Sequence, residues 1–427
     1  TTTHTFANNA STSDLAVGAS TTLTAPSALT IDGELTNEGT IHFNEGLVDI
    51  AGTFRQFGSI EAASSTLNVN GPDQGTIDNL FGYVNGFESG VGASGGNVNA
   101  LTITPDGNIL YLGAGSFFGD GACTATTSAD CELLIYDISS STNPVLLSGL
   151  ETGAGSGGDT VNAIAQSRNG DTLYIARNFY SGACTTSTGD GCELLIYDIS
   201  STTNPVLLGG QAINPIGESV MKLVVHPDGN VLYGGSYSYD TCIPSTGEEC
   251  LVGVFDISST TNPTFITGIG GDGNSEAAGL AVSPDGRALY VGDFHDYDVC
   301  DQNTGEFCEL TTFDVSSSTN PVYATGFDIS NGSLSFSHAL VVDHVNETLY
   351  FGTAENLDEC NTETGVGCNL FVFDISQSVN PVFVTARDVI DEFFYALAVD
   401  PGGTALYAAV SDSSGTACVP GTGVGCE

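Results

Sequence analysis

The sequence predicts an all-β protein: a six-bladed β-propeller with a short N-terminal parallel β-solenoid. Three observations lead there. From about residue 97, six cysteine pairs with an internal spacing of eight recur every 58 to 61 residues. Each repeat reads as four short strands with no helical period. Residues 20–77 carry a different repeat, with apolar alternation and a fixed glycine every 19 residues. Self-similarity at such periods is the signature of arrays, solenoids and propellers.

In chain order, residues 1–19 consist largely of Thr, Ser, Ala and Asn, with one acid (Asp14) and one aromatic (Phe6). They are expected to form a tail able to act as a donor strand, with Thr5, Phe6 and Ala7 as its candidate subunit contact. A chain opening on Thr1 instead of Met is expected to have lost a signal peptide. In residues 20–77, LTIDG (Leu29–Gly33), VDIAG (Val48–Gly52) and LNVNG (Leu67–Gly71) repeat, and Gly-Thr/Ser-Ile follows at Ile41, Ile60 and Ile77. Alternating apolar residues with glycine corners suit the coils of a parallel β-solenoid. The GELTNEGTI wording resembles the β-helix stalks of bacterial adhesins and secreted surface proteins. Residues 78–96 are expected to be a linker, or strands that close the last blade.

Residues 97–427 are the propeller. In the first repeat NALTIT is a strand, PDGN a tight turn, ILYLGAG a strand, then a loop carrying the cysteines, then ELLIYDIS and PVLLSGL. SSSTNP before the last strand is turn chemistry, since Ser and Asn bond locally to the backbone and Pro fixes φ. A Leu-Tyr dipeptide recurs at Tyr111, Tyr174, Tyr233, Tyr290, Tyr350 and Tyr407. Aromatic-Asp-Ile/Val-Ser recurs at Asp137, Asp198, Asp256, Asp314 and Asp374, and Asn-Pro at Pro144, Pro205, Pro263, Pro321 and Pro381. Four antiparallel strands per repeat make a blade. The YDISSSTNPVLL segment resembles the LVIVD-type repeat of extracellular bacterial and archaeal propellers. That resemblance spans roughly residues 97 to 427 and concerns fold, because propellers host many activities.

Six cysteine pairs are expected to be disulfides across the loop between second and third strands. They are Cys123 with Cys131, Cys184 with Cys192, Cys242 with Cys250, Cys300 with Cys308, Cys360 with Cys368, and Cys418 with Cys426. Their spacing differs from Cys-x-x-Cys metal sites and no histidine accompanies them. The sixth repeat stops at Glu427, where the third strand should open. Its missing strands are expected from residues 78–90 or from a neighbouring chain by strand addition.

Against 51 Asp and Glu stand only 6 Lys and Arg, a net charge of −45. Such a surface repels phosphate backbones, which excludes nucleic acid as a partner, and anionic membranes are disfavoured alike. No apolar run is long enough to span a bilayer. Aligning the repeats places Asn99, Asn162, Met221, Ala278, His338 and Tyr395 at equivalent channel positions, which is no recurring ligand set. A lactonase-like calcium site would draw on Asn99 and Asn162 with Glu276 or Glu392. Asp240, Asp296, Asp298 and Asp358, in loops beside the cysteines, are candidate ligands for Ca²⁺, a hard cation that takes oxygen donors, although solvated acidic loops are the favoured reading. Asn9, Asn331 and Asn346 lie in Asn-x-Ser/Thr sequons, candidates for glycosylation. No required cofactor and no catalytic set is evident.

The leading expectation is therefore a secreted, non-enzymatic structural protein, a homopolymer forming a filament or surface layer. An adhesin or glycan-binding propeller on a cell surface is the alternative, and a calcium-dependent hydrolase the third.

Overall fold

The computed structural model describes the strands between Thr2 and Val69 and much of the chain from Asn97 to Val410. Outside the description, besides the N-terminal connections, are residues 70–96, 116–122, 124–130, 141–143, 153–159, 179–183, 202, 214–219, 239, 260, 272–274, 294–299, 330–336, 354–359, 362–364, 366, 388–393 and 411–427. The chain divides into two units, Thr1–Val84 and Asn85–Glu427.

In the first unit every strand pair is parallel. One ladder runs Thr2–Thr5, Thr21–Ala25, Thr40–Phe43, Ser59–Ala62, and a second runs Ala10–Thr12, Ala28–Ile31, Gly46–Ile50, Ser65–Val69. A third joins Leu15–Val17, Leu35–Asn37 and Phe54–Gln56. The register follows the sequence repeat: Leu29 faces Val48, Val48 faces Leu67, and Ile41 faces Ile60. Residues 1–19 were expected to form a tail able to act as a donor strand. Their strands open all three ladders, with Thr2 opposite Thr21 and Ala10 opposite Leu29. The reason is periodicity: each lies one repeat upstream of a ready edge, whose backbone groups need partners.

In the second unit each complete repeat is an antiparallel meander. The first strands are Asn97–Ile103, Thr160–Gln166, Val220–Val225, Ser275–Val282, Ser337–Asp343 and Phe394–Val399. The second strands are Ile109–Gly115, Thr172–Asn178, Val231–Ser238, Ala288–Asp293, Thr348–Thr353 and Leu406–Val410. Third strands span Leu133–Asp137, Leu194–Asp198, Val252–Asp256, Leu310–Asp314 and Leu370–Asp374. Fourth strands span Val145–Leu150, Val206–Gln211, Thr264–Ile269, Val322–Phe327 and Val382–Arg387. This is a propeller-like all-β fold. Residues 78–96, expected to link the units or close the last blade, lie outside the described residues. So do Cys418 and Cys426, the two cysteines of the sixth repeat that were expected to pair.

Second and third strands are buried on both faces, so they read as continuous apolar runs; fourth strands alternate and expose one face. Each core cluster spans two neighbouring repeats, for example Leu173 with Tyr111, and Phe371 with Tyr290. Another joins the first repeat to the sixth through Val98, Leu110, Ala396 and Ala409. First strands lie side by side in chain order, and Asn97–Ile103 also packs against Phe394–Val399, which closes the circle.

The repeat hallmarks have local jobs. Asp137, Asp198, Asp256 and Asp374 each accept the amide proton of the serine two residues on at 2.8 Å, starting the turn to the fourth strand. Those serine bonds hold the Asp carboxyls below the usual range. Two of the repeated tyrosines latch successive repeats. Tyr233 donates to the Ser318 carbonyl at 2.8 Å and Tyr290 to that of Ser378 at 2.7 Å.

Candidate functional site

The six first strands share one irregularity. Each slips register by a residue, leaving Asn99, Asn162, Met221, Ala278, His338 and Tyr395 outside the ladder. These are the positions aligned from the sequence as channel-facing. A β-bulge of this kind re-aims side chains and is favoured near functional sites. Here the first strands enclose an axial cavity of about 70 Å³, lined by two bulge residues, Asn99 and Asn162, and by the residues that follow the bulges.

Asn99 and Asn162 both line the cavity. Their amides bridge to the next repeat: Asn99 Nδ2 donates to the Val161 carbonyl and Asn162 Nδ2 to that of Val220, both at 3.2 Å. Asn162 Nδ2 also lies 3.6 Å from Met221 Sδ. The amide groups thus tie neighbouring first strands together.

Lys222 is the site residue that sequence reasoning missed. Its ammonium donates to the Tyr395 carbonyl at 3.2 Å, joining the third repeat to the sixth, its opposite in the circle. Burial pulls its pKa down to about 8, opposed by the negative charge of Glu276. Glu276 is itself pushed above the carboxylate range by burial, against the Tyr237 hydroxyl that donates to it and the Lys222 charge; Asp293 adds to the rise. A usable signal lay in the sequence: Lys222 is the only lysine in the chain, next to an aligned channel position. A cation in this cavity opposes a Ca²⁺ held by Asn99 and Asn162, whatever Glu276 contributes. Glu392, the other acid of that expectation, lies outside the described residues, and nothing is described of the His338 side chain.

The remaining candidates are scattered. Five expected cysteine pairs are disulfides, Cys123–Cys131, Cys184–Cys192, Cys242–Cys250, Cys300–Cys308 and Cys360–Cys368, with Cα atoms 4.4–4.5 Å apart. The sixth expected disulfide, between Cys418 and Cys426, falls outside the described residues and is not among these five. Asp240 is exposed and its carboxylate accepts the Thr241 amide proton at 2.7 Å. Asp296, Asp298, Asp358, Asn9, Asn331, Phe6 and Ala7 lie outside the described residues, while Thr5 ends the first strand. Asn346 is exposed, but its Nδ2 donates to Asp343 at 2.7 Å and to the Gly403 carbonyl at 3.2 Å, so glycosylation there would have to give up at least one of these bonds. Among the described residues, no three His, Cys, Asp or Glu gather as metal ligands. No helix among them is long and apolar enough to cross a membrane.

No family model and no curated protein matches the chain. Solved structures resemble it weakly. Hydrazine synthase from Kuenenia stuttgartiensis aligns with a TM-score of 0.42 at 12% identity, over 79% of this chain and 95% of that one. A protein from Lactobacillus plantarum aligns at 0.45 and 12%, over 69% and 72%. A functionally unknown protein from Desulfotomaculum acetoxidans aligns at 0.41 and 15%, over 72% and 73%. At these values none of the three informs the function of this chain.

Proposed function

We propose that this is a secreted structural protein, a six-bladed propeller with an N-terminal parallel β-solenoid, whose copies join by strand addition into a filament or surface layer. The observation that carries this reading is a contrast between sheet edges. In every complete repeat the fourth strand is an outer edge, and each carries a bulge, opposite Ile135/Tyr136 in the first repeat and Val372/Phe373 in the fifth. Bulges blunt an edge against pairing with other chains. In the sixth repeat the bulge lies on Phe394–Val399, and Leu406–Val410, its partner in a two-stranded sheet, carries none among the described residues. A strand from a neighbouring copy is the partner we assign to Leu406–Val410. Five disulfides fit an oxidising, extracellular setting.

The test mixes unlabelled and ¹⁵N-labelled chains, allows assembly, and cross-links the abundant carboxylates with a dihydrazide. Filaments by electron microscopy, with mixed-isotope cross-links to the segment around Leu406–Val410, are expected. Single particles with only same-isotope cross-links would overturn the reading and leave closure within one chain.

A further inference from the structure

Immediately after its bulge, each first strand returns to the ladder. Five repeats place a small residue there: Ala100, Ala163, Gly279, Ala339 and Ala396. The third places Lys222. A long side chain therefore enters a cavity whose other walls are mostly Ala, Leu and Ile. One donor of its nitrogen is committed to the Tyr395 carbonyl. Desolvation in such a wall favours the neutral amine, whose lone pair is a nucleophile. Glu276 lies near enough for the two charges to act on each other. Burial favours its protonated form, the state that can donate a proton.

The geometry points to Lys222 as a covalent capture site for a small, uncharged aldehyde or ketone, formed as an imine inside the axial cavity. The amine lone pair forms the C–N bond as the carbonyl π pair moves to oxygen, and a proton passes from nitrogen to that oxygen. The Glu276 carboxyl then protonates the hydroxyl, which departs as water. The nitrogen lone pair closes the C=N bond, leaving a protonated imine beside the Glu276 carboxylate. No oxidant or reductant is consumed. An uncharged ligand is favoured because a molecule of net charge −45 repels anions and the described cavity wall offers no second cation. The proposal is independent of self-assembly.

The full chain, disulfides intact, is incubated at pH 7 with glycolaldehyde and cyanoborohydride, which reduces an imine to a stable amine, and then mapped by mass spectrometry. A Lys222 adduct is expected, formed at least about tenfold faster than on Nα-acetyl-lysine amide, given its larger neutral fraction. Glu276→Gln should slow it severalfold while the protein keeps its circular-dichroism spectrum. A Lys222 that reacts no faster than the free model amine, while the N-terminal amine is modified, would overturn the proposal and leave the side chain as a strut across the axis.

Discussion

Arg177 places a long, polar guanidinium side chain where it has no exposed surface. Its Nε donates to the Cys192 carbonyl at 2.7 Å, Nη1 to that of Thr152 at 3.4 Å, and Nη2 to that of Gly189. The side chain thus satisfies carbonyls around the second disulfide loop. Arg177→Met removes those donors and leaves buried acceptors unpaired, so chemical denaturation should show a loss of about 3 kcal/mol. Lys222 makes a complementary prediction in pH. Its pKa falls from 10.5 in the unfolded chain to about 8 in the fold, so the folded state resists protonation. The cost is complete below pH 8 and fades as pH rises toward 10.5. Melting temperatures of the parent and Lys222→Met should therefore converge in favour of the parent between those values, and a constant gap would refute the shift. Lys222 is marked by being the only lysine, but Arg177 does not stand out in its own repeat, because local pattern reports faces and turns and its burial depends on neighbours 12 to 25 residues away.

At the scale of strands and loops, the disulfide presses against the fourth strand. A Cβ on Gly268 would come within 2.4 Å of Cys250 Sγ, and one on Gly210 within 2.7 Å of Cys192 Sγ. Gly268→Ala should cost about 1–3 kcal/mol through overpacking, measured by thermal melts of the oxidised protein. The fifth repeat carries Ala386 at the corresponding ladder position, opposite Phe371, so its staple must accommodate a methyl group. Most of this was legible. The four strands of the first repeat coincide with NALTIT, ILYLGAG, ELLIYDIS and PVLLSGL, because alternation and turn residues encode them locally. The bulges were not, since one extra residue at Asn162 changes no composition and appears only against the partner strand. The early strands Thr2–Thr5 and Ala10–Thr12 were hidden for the same reason: polar, weakly alternating sequence gains its strand state from the next repeat's edge.

For the whole molecule, charge sets the terms of association. Copies bearing −45 each repel unless counter-ions intervene. Any assembly should therefore loosen on transfer from about 0.15 M salt to about 0.01 M, where the Debye length grows from roughly 8 to 30 Å. Chelating divalent cations should act in the same direction. Sedimentation velocity reads both, and an assembly indifferent to salt would show that apolar contacts dominate. Candidates for such contacts are exposed Val145, Val206, Val322 and Val382, one on each of four outer strands.

The eight-residue separation within each of the five disulfides also governs how the protein is made. Twelve thiols offer a large space of wrong partners. Closing a short loop costs far less entropy than reaching into another repeat, so each cysteine meets its own partner first. Oxidation can thus proceed blade by blade while the chain is still being delivered, with no later stage depending on reshuffling. Reduced, denatured chains should regain the native pairing in a glutathione buffer without an isomerase, as peptide mapping would reveal.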